Sequence, residues 1–252
     1  MRRRFLSTDK HPVRYMTVEP LENGVYLSFG GTGLYYSIDD SEWVSLPIDT
    51  NTPSINVGQT IKIKGINIRT TSEIHFTING RCKLSGTIMS ILYGDKPYEE
   101  KIPFDGCFSH TFYNCTSIVS VAPDFLPATT LAKYCYYNMF SGCTSLTTAP
   151  ELPATTLAAY CYYEMFYGCT SLVNAPVLPA TTLVDGCYSY MFYGCSKLSY
   201  IKAMFTTTPS ISYTSNWLRG VASSGTFIKN PNATWNVIDY NSIPYGWTVK
   251  TE

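Results

Sequence analysis

At 252 residues the chain suits one large or two modest domains and can bury a substantial core. Its formal net charge is zero, and charged residues make up 14% of the chain against a usual figure of about 25%. That balance excludes bulk attraction to nucleic acid or anionic lipid, and no run approaches the ~18 apolar residues of a membrane span. Residues 1–12 read as a polar arm. Met1-Arg-Arg-Arg4 has the basic start of a signal peptide, but FLSTDKHPVRY supplies no apolar stretch behind it, so neither a signal peptide nor membrane insertion is expected.

From Val13 the pattern turns to alternation. Val13–Val18, Val25–Phe29, Leu34–Ile38, Trp43–Leu46, Ile61–Lys64, Ile74–Ile78 and Leu84–Ile88 each read as a short strand. Asn23-Gly24, Gly30-Gly31, Asp39-Asp40-Ser41 and Asn79-Gly80 mark turns between them. This spacing predicts an antiparallel β-sandwich over 13–93. Inside it Ser37-Ile-Asp39-Asp-Ser-Glu-Trp43 is similar to the Asp-box hairpin of sialidase-type propellers. It occurs once, whereas a propeller needs such a unit in every blade, so a structural hairpin is expected.

A linker near Gly94–Lys101 leads into four blocks of one design: Cys107–Cys115, Cys135–Cys143, Cys161–Cys169 and Cys187–Cys195. The steps between them are 28, 26 and 26 residues, and LPATTL recurs from Leu126, Leu152 and Leu178. A fixed period of this size predicts a solenoid in which each unit buries its apolar face only against its neighbours. Within one unit Cys161, Tyr162, Met165 and Phe166 fall at i, i+1, i+4 and i+5, the spacing of one helix face. Thr155 or Thr156 would cap that helix and Gly168 would end it in a left-handed conformation, with Asn114 at the same place in the first unit. A short strand is then expected from Cys169 to Ala175, stopped by Pro176.

Phe-x-Gly-Cys-Thr-Ser-Leu, at Phe140–Leu146 and Phe166–Leu172, resembles the BspA-like leucine-rich repeats. The likeness covers about residues 101–205 and extends to the ending WLRGVASSGTFIKN then IPYGWTV. Departures are a 26-residue unit, longer than the commoner ~23, and Met-Phe in place of Ala-Phe. The resemblance implies a right-handed solenoid in a surface or adhesive protein of gut-type bacteria or their phages. It also makes the 13–93 segment look like the immunoglobulin-like front module paired with such repeats. The expected fold is therefore mixed β and α/β: the sandwich at 13–93, the solenoid at 94–205 and a β cap at 206–252, where the repeat fails and Trp217, Thr226–Ile228 and Trp247–Val249 close the core.

Eight of the nine cysteines are placed by the repeat. Partners within a block are ~12 Å apart on a helix, too far to bridge. Equivalent thiols in successive units could approach to ~5 Å, yet none is singled out, so buried reduced ladders are expected, with Cys82 left over. Cys107, His110 and Cys115 have the look of zinc ligands. His110 aligns with Asn138, Glu164 and Tyr190, however, a variable position read as exposed, and no fourth ligand is apparent. Of the remaining histidines, His11 lies in the arm and His75 alternates within a strand, so neither is read as the base of a thiol nucleophile. No metal, cofactor or catalytic residue is assigned, and an enzyme is not expected.

What varies between fixed core positions is the candidate recognition surface: Tyr113, Glu164, Tyr167, Tyr190 and Tyr193. The reading is a non-enzymatic recognition or adhesion module at a cell surface or in a virion, such as a phage tail component or an adhesin. Its partner would be a protein or glycan on a bacterial surface, or neighbouring virion subunits. Alternative readings are a purely structural subunit of a larger assembly and a glycan-active enzyme, the latter needing a carboxylate pair that the sequence does not offer.

Overall fold

In a computed structural model, residues 14–66, 74–96 and 99–252 are described, so the expected arm and His11 lie outside the described residues. Seven strands follow one another: β1 (Met16–Pro20), β2 (Tyr26–Gly30), β3 (Leu34–Ile38), β4 (Val44–Leu46), β5 (Ile61–Gly65), β6 (His75–Asn79) and β7 (Cys82–Ser85). Alternate residues are buried, as Met16, Val18, Ile61, Ile63, Leu27, Phe29, Phe76 and Ile78 show, because successive side chains of a strand point to opposite faces. β2 and β6 pair as a two-stranded antiparallel sheet, with Leu27 opposite Ile78 and Phe29 opposite Phe76. The other strands form a sheet in the order β4-β3-β5-β1-β7, and β8 (Ile118–Val121) joins its edge. The sandwich expectation is consistent with this part of the chain.

The strand expected at Leu84–Ile88 ends at Ser85. Gly86 has φ +72°, and a Cβ there would come within 1.7 Å of the Tyr15 carbonyl oxygen. Only glycine fits, and the chain leaves the sheet for the short helix α1 (Ser90–Tyr93). The Ser37–Trp43 segment is a structural hairpin. Asp39 and Asp40 take φ of 50° and 60°, the Asp39 carboxylate accepts from the Thr60 amide at 2.8 Å, and the Lys64 ammonium lies 4.3 Å from the Trp43 ring.

The repeats correct the expected fold class. No helix forms in any block; among the described residues the α-helices, α1 and α2 (Ile211–Thr214), are four residues long and lie elsewhere, as does a single 3-10 turn at Pro123–Phe125. Strands follow only the first and last blocks, as β8 and β9 (Tyr200–Ala203). Between them single bridges remain, Ser120 to Thr148 and Asn174 to Tyr200. None of the sheets runs through the repeats as a solenoid sheet, so the leucine-rich-repeat solenoid is not formed. Pro150 and Pro176 arrive a few residues after Leu146 and Leu172 and remove the donors a longer ladder would need.

The blocks fold instead as runs of turns, because the backbone donors divide in two directions. In the first block Ser109, Thr111, Tyr113 and Cys115 donate back to Gly106, Phe108, His110 and Phe112. The intervening Phe108, His110, Phe112 and Asn114 donate across to Cys135, Tyr137, Met139 and Ser141 of the next block, at 2.7–2.9 Å. Every fourth residue has positive φ: Gly106, His110 and Asn114, then Tyr134, Asn138 and Gly142, then Tyr160, Glu164 and Gly168. Such a residue at the second central position is what a type II turn requires. The period is thus four rather than 3.6, which keeps Cys161, Met165 and Cys169 on one side while breaking the helix.

Burial then follows from the stacking of like on like. Phe108, Tyr136, Tyr162 and Tyr188 form one internal column with ring centroids 5.8–6.0 Å apart. A second runs Phe76, Phe112, Phe140, Phe166 and Phe192 at 5.4–5.8 Å. Because Phe76 belongs to β6 and also contacts Phe29 at 5.0 Å, one apolar core runs from the sandwich into the repeats. All nine cysteines are unpaired and buried. Cys115, Cys143, Cys169 and Cys195 each donate a thiol proton to a phenylalanine carbonyl of the preceding layer, at 3.0–3.2 Å, and burial beside Cys115 raises Cys82 to about 12.

A fifth layer without cysteines closes the stack. Gly186, Tyr188, Tyr190, Phe192 and Gly194 donate to Ser212, Tyr213, Ser215, Trp217 and Arg219, with Asn216 and Gly220 at positive φ. Beyond it β10 (Thr226–Lys229) lies between β9 and β11 (Thr248–Thr251) in a parallel sheet. Buried Trp217 abuts Tyr188 and Phe192 at the column ends. Its indole N–H donates to the Ser242 carbonyl at 3.0 Å, which satisfies the polar tip of an otherwise apolar plug. No helix among the described residues is long and apolar enough to cross a membrane.

Candidate functional site

The turn blocks stack closely enough that outward rings of successive blocks form surface columns. Tyr134 lies over Tyr160 at 4.8 Å, and His110, Tyr137 and Tyr163 follow one another at 5.0 and 5.3 Å. Tyr190 continues that file from Tyr163 at 5.7 Å. A further column sets Tyr167 on Tyr193 at 4.9 Å with planes 1° apart. The Arg219 guanidinium, between Tyr193 and Tyr240 at 5.9 and 5.7 Å, extends it into the closing layer. Stacked rings hide much of their faces from solvent and present edges and hydroxyls, a surface both apolar and hydrogen-bonding.

Of the sequence-predicted site residues, Tyr167, Tyr190 and Tyr193 come together, with Tyr190 and Tyr193 6.1 Å apart. Glu164 is half-buried at positive φ beside Tyr163. Burial, and then the Glu164 carboxylate, push the Tyr163 hydroxyl up to about 12. Tyr113 stands apart at the first block, edge-on to His110 at 5.7 Å. Sequence reasoning missed Tyr134, Tyr137, Tyr160 and Tyr163, which with Ser109 and His110 line an open cleft of about 440 Å³. Their recurrence one block apart was the available signal, obscured by assigning Tyr162's neighbours to a helix. The expectation that the His110 position is freely exposed also needs correction, since Asn138 there is buried.

The Cys107–His110–Cys115 spacing resolves differently from a metal set. Burial drives both thiols up, Cys115 to about 11, which disfavours the thiolate that ligation and nucleophilic attack require. The His110 Nδ1 lies 2.8 Å from Ser109 Oγ, and its Nε2 lies 3.3 Å from the Asn138 amide nitrogen. The Asn138 Oδ1 is buried without a partner among the described residues, so turning the amide over would bring an acceptor to Nε2–H and leave Nδ1 to accept from Ser109. A hydroxyl–imidazole contact of this kind can activate a nucleophile; Ser109, which lines the cleft, is only 8% exposed. The His110–Asn138 contact joins the first block to the second. Comparison with family models, curated proteins and solved structures finds no match to this chain.

Proposed function

We propose that the chain is a non-enzymatic recognition module whose turn blocks present an aromatic face to a protein or glycan on a bacterial surface. The carrying observation is the solvent-facing file of Tyr167, Tyr193 and Arg219 beside Tyr163 and Tyr190. Tyrosine and arginine are the side chains that dominate binding energy at interfaces, because they combine broad contact area with polar tips. The cross-block backbone hydrogen bonds fix these rings before a partner arrives, and a surface that is already ordered loses little entropy on binding. A virion or extracellular setting, as a phage tail component or an adhesin, is supported by the BspA-like motif at Phe140–Leu146 and Phe166–Leu172.

A second reading, a structural subunit whose partner is a neighbouring copy or protein, is favoured by β11, an exposed strand at the open edge of its sheet. The distinguishing experiment measures binding of the full chain to isolated bacterial envelopes, comparing it with Tyr167→Ser/Tyr193→Ser. The recognition reading expects envelope binding that falls at least tenfold in the variant while its melting temperature stays within a few degrees. Binding unchanged by the double substitution would contradict it.

A further inference from the structure

A second surface, separate from the tyrosine columns, has the composition of a ligand site. Where β2 and β6 meet the first block lies a groove of about 620 Å³, within the ~300–1,000 Å³ of small-ligand sites. One wall is the outward face of the β2–β6 pair, where Tyr26 sits across from Asn79 and Ser28 across from Thr77. Tyr113 and Thr116 of the first block form the other, and Asn51 closes one side through its bridge to Ser28.

None of the lining residues is Asp, Glu, Lys or Arg. The side chains of Ser28, Asn51, Thr77, Asn79 and Thr116 make no hydrogen bond among the described residues, so their full capacity faces outward. His75 adds a directed acceptor. Its Nδ1 lies 3.1 Å from the His110 carbonyl oxygen, which can only accept; Nδ1 therefore carries the proton and Nε2 the lone pair. Tyr113, 40% exposed, and half-buried Tyr26 contribute aromatic rings.

The walls are also held in a fixed relation. The Phe76 amide donates to Thr111 at 2.8 Å and Ser117 Oγ donates to the Ile78 carbonyl at 2.7 Å. The groove is preformed rather than assembled by its occupant.

We infer that this groove binds a neutral saccharide. Neighbouring sugar hydroxyls each donate and accept, and a carboxamide such as that of Asn51 or Asn79 answers both with its oxygen and its N–H groups. The apolar C–H face of a pyranose packs on tyrosine. A uronate, sulfate or phosphate would be desolvated here with no cation to compensate, so acidic saccharides are disfavoured. The site is independent of the Tyr167 and Tyr193 columns, and the two can fail separately.

The test titrates the full chain, by calorimetry or ligand-observed magnetic resonance, with the neutral tetrasaccharides of β-glucose, mannose, galactose and N-acetylglucosamine, and with tetragalacturonate. Saturable binding of at least one neutral probe is expected, tighter than the acidic one. It should weaken at least tenfold in Asn79→Asp and in Tyr113→Ser, with melting unchanged, and be untouched in Tyr167→Ser/Tyr193→Ser. No binding by any neutral probe, preference for tetragalacturonate, or binding indifferent to both groove substitutions would overturn the inference.

Discussion

Raising the pH should unfold this protein abruptly, and the reason is the cysteine ladder. Desolvation lifts the thiols from an ordinary value of 9.0 to about 11 in Cys115 and about 12 in Cys82, Cys135, Cys187 and Cys195. Cys107, Cys143, Cys161 and Cys169 are raised as well. Between pH 9 and about 11 the native thiols keep their protons while those of the unfolded chain lose them. The unfolded state thus binds fewer protons, and stability falls as pH rises. From pH 8 to 10 each thiol contributes a loss of about 1.4 kcal/mol. For nine such thiols that is roughly 12 kcal/mol, the size of a whole domain's stability. Denaturant unfolding followed by tryptophan fluorescence, with reductant present, should show the midpoint collapsing over this range. Cys169→Ala should lower stability at pH 8 but shallow the slope by about one proton. A midpoint unchanged from pH 8 to 10, or native thiols that react with a disulfide reagent as fast as unfolded ones, would refute the buried ladder.

Gly168 has φ +69° with open space around it, so Gly168→Val should cost about 1–2 kcal/mol and Gly168→Asn distinctly less, read by denaturant titration; equal losses would show that backbone conformation is not the constraint. Gly186 shares the positive φ, but a Cβ there would lie 2.2 Å from the Tyr160 ring, so Gly186→Ala should cost more than Gly168→Ala by thermal melting. The Tyr188 hydroxyl is buried without a partner among the described residues, and an unsatisfied buried hydroxyl is costly. Tyr188→Phe should therefore stabilise the protein by about 1 kcal/mol.

Much of this was legible in the residues. Strict alternation in Met16–Val18 and Ile61–Ile63 identified strands, whereas the strand expected before Pro176 is not formed. The left-handed roles of Gly168 and Asn114 were readable because few residues tolerate that conformation. The block geometry was not, since the spacing of Cys161, Tyr162, Met165 and Phe166 suits both a helix of 3.6 residues per turn and a turn run of four. The choice between them lies in the destination of the Tyr162 and Phe166 amides, which donate to Cys187 and Met191 of the next block. That is a contact between distant residues which no local pattern encodes. Glu164 and Tyr160 at positive φ are likewise held by those cross-block bonds against their own preference. The groove was invisible for the same reason, since Asn79 and Tyr113 meet only when β6 docks on the first block.

The recognition claim is tested most directly by tyrosine footprinting on the full chain bound to bacterial envelopes. Nitration with and without envelopes, mapped by mass spectrometry, should show Tyr167, Tyr190 and Tyr193 protected on binding. Tyr35 and Tyr36 in β3 should react alike in both states. Protection confined to β3, or none at Tyr167 and Tyr193 when the protein is demonstrably bound, would contradict the account.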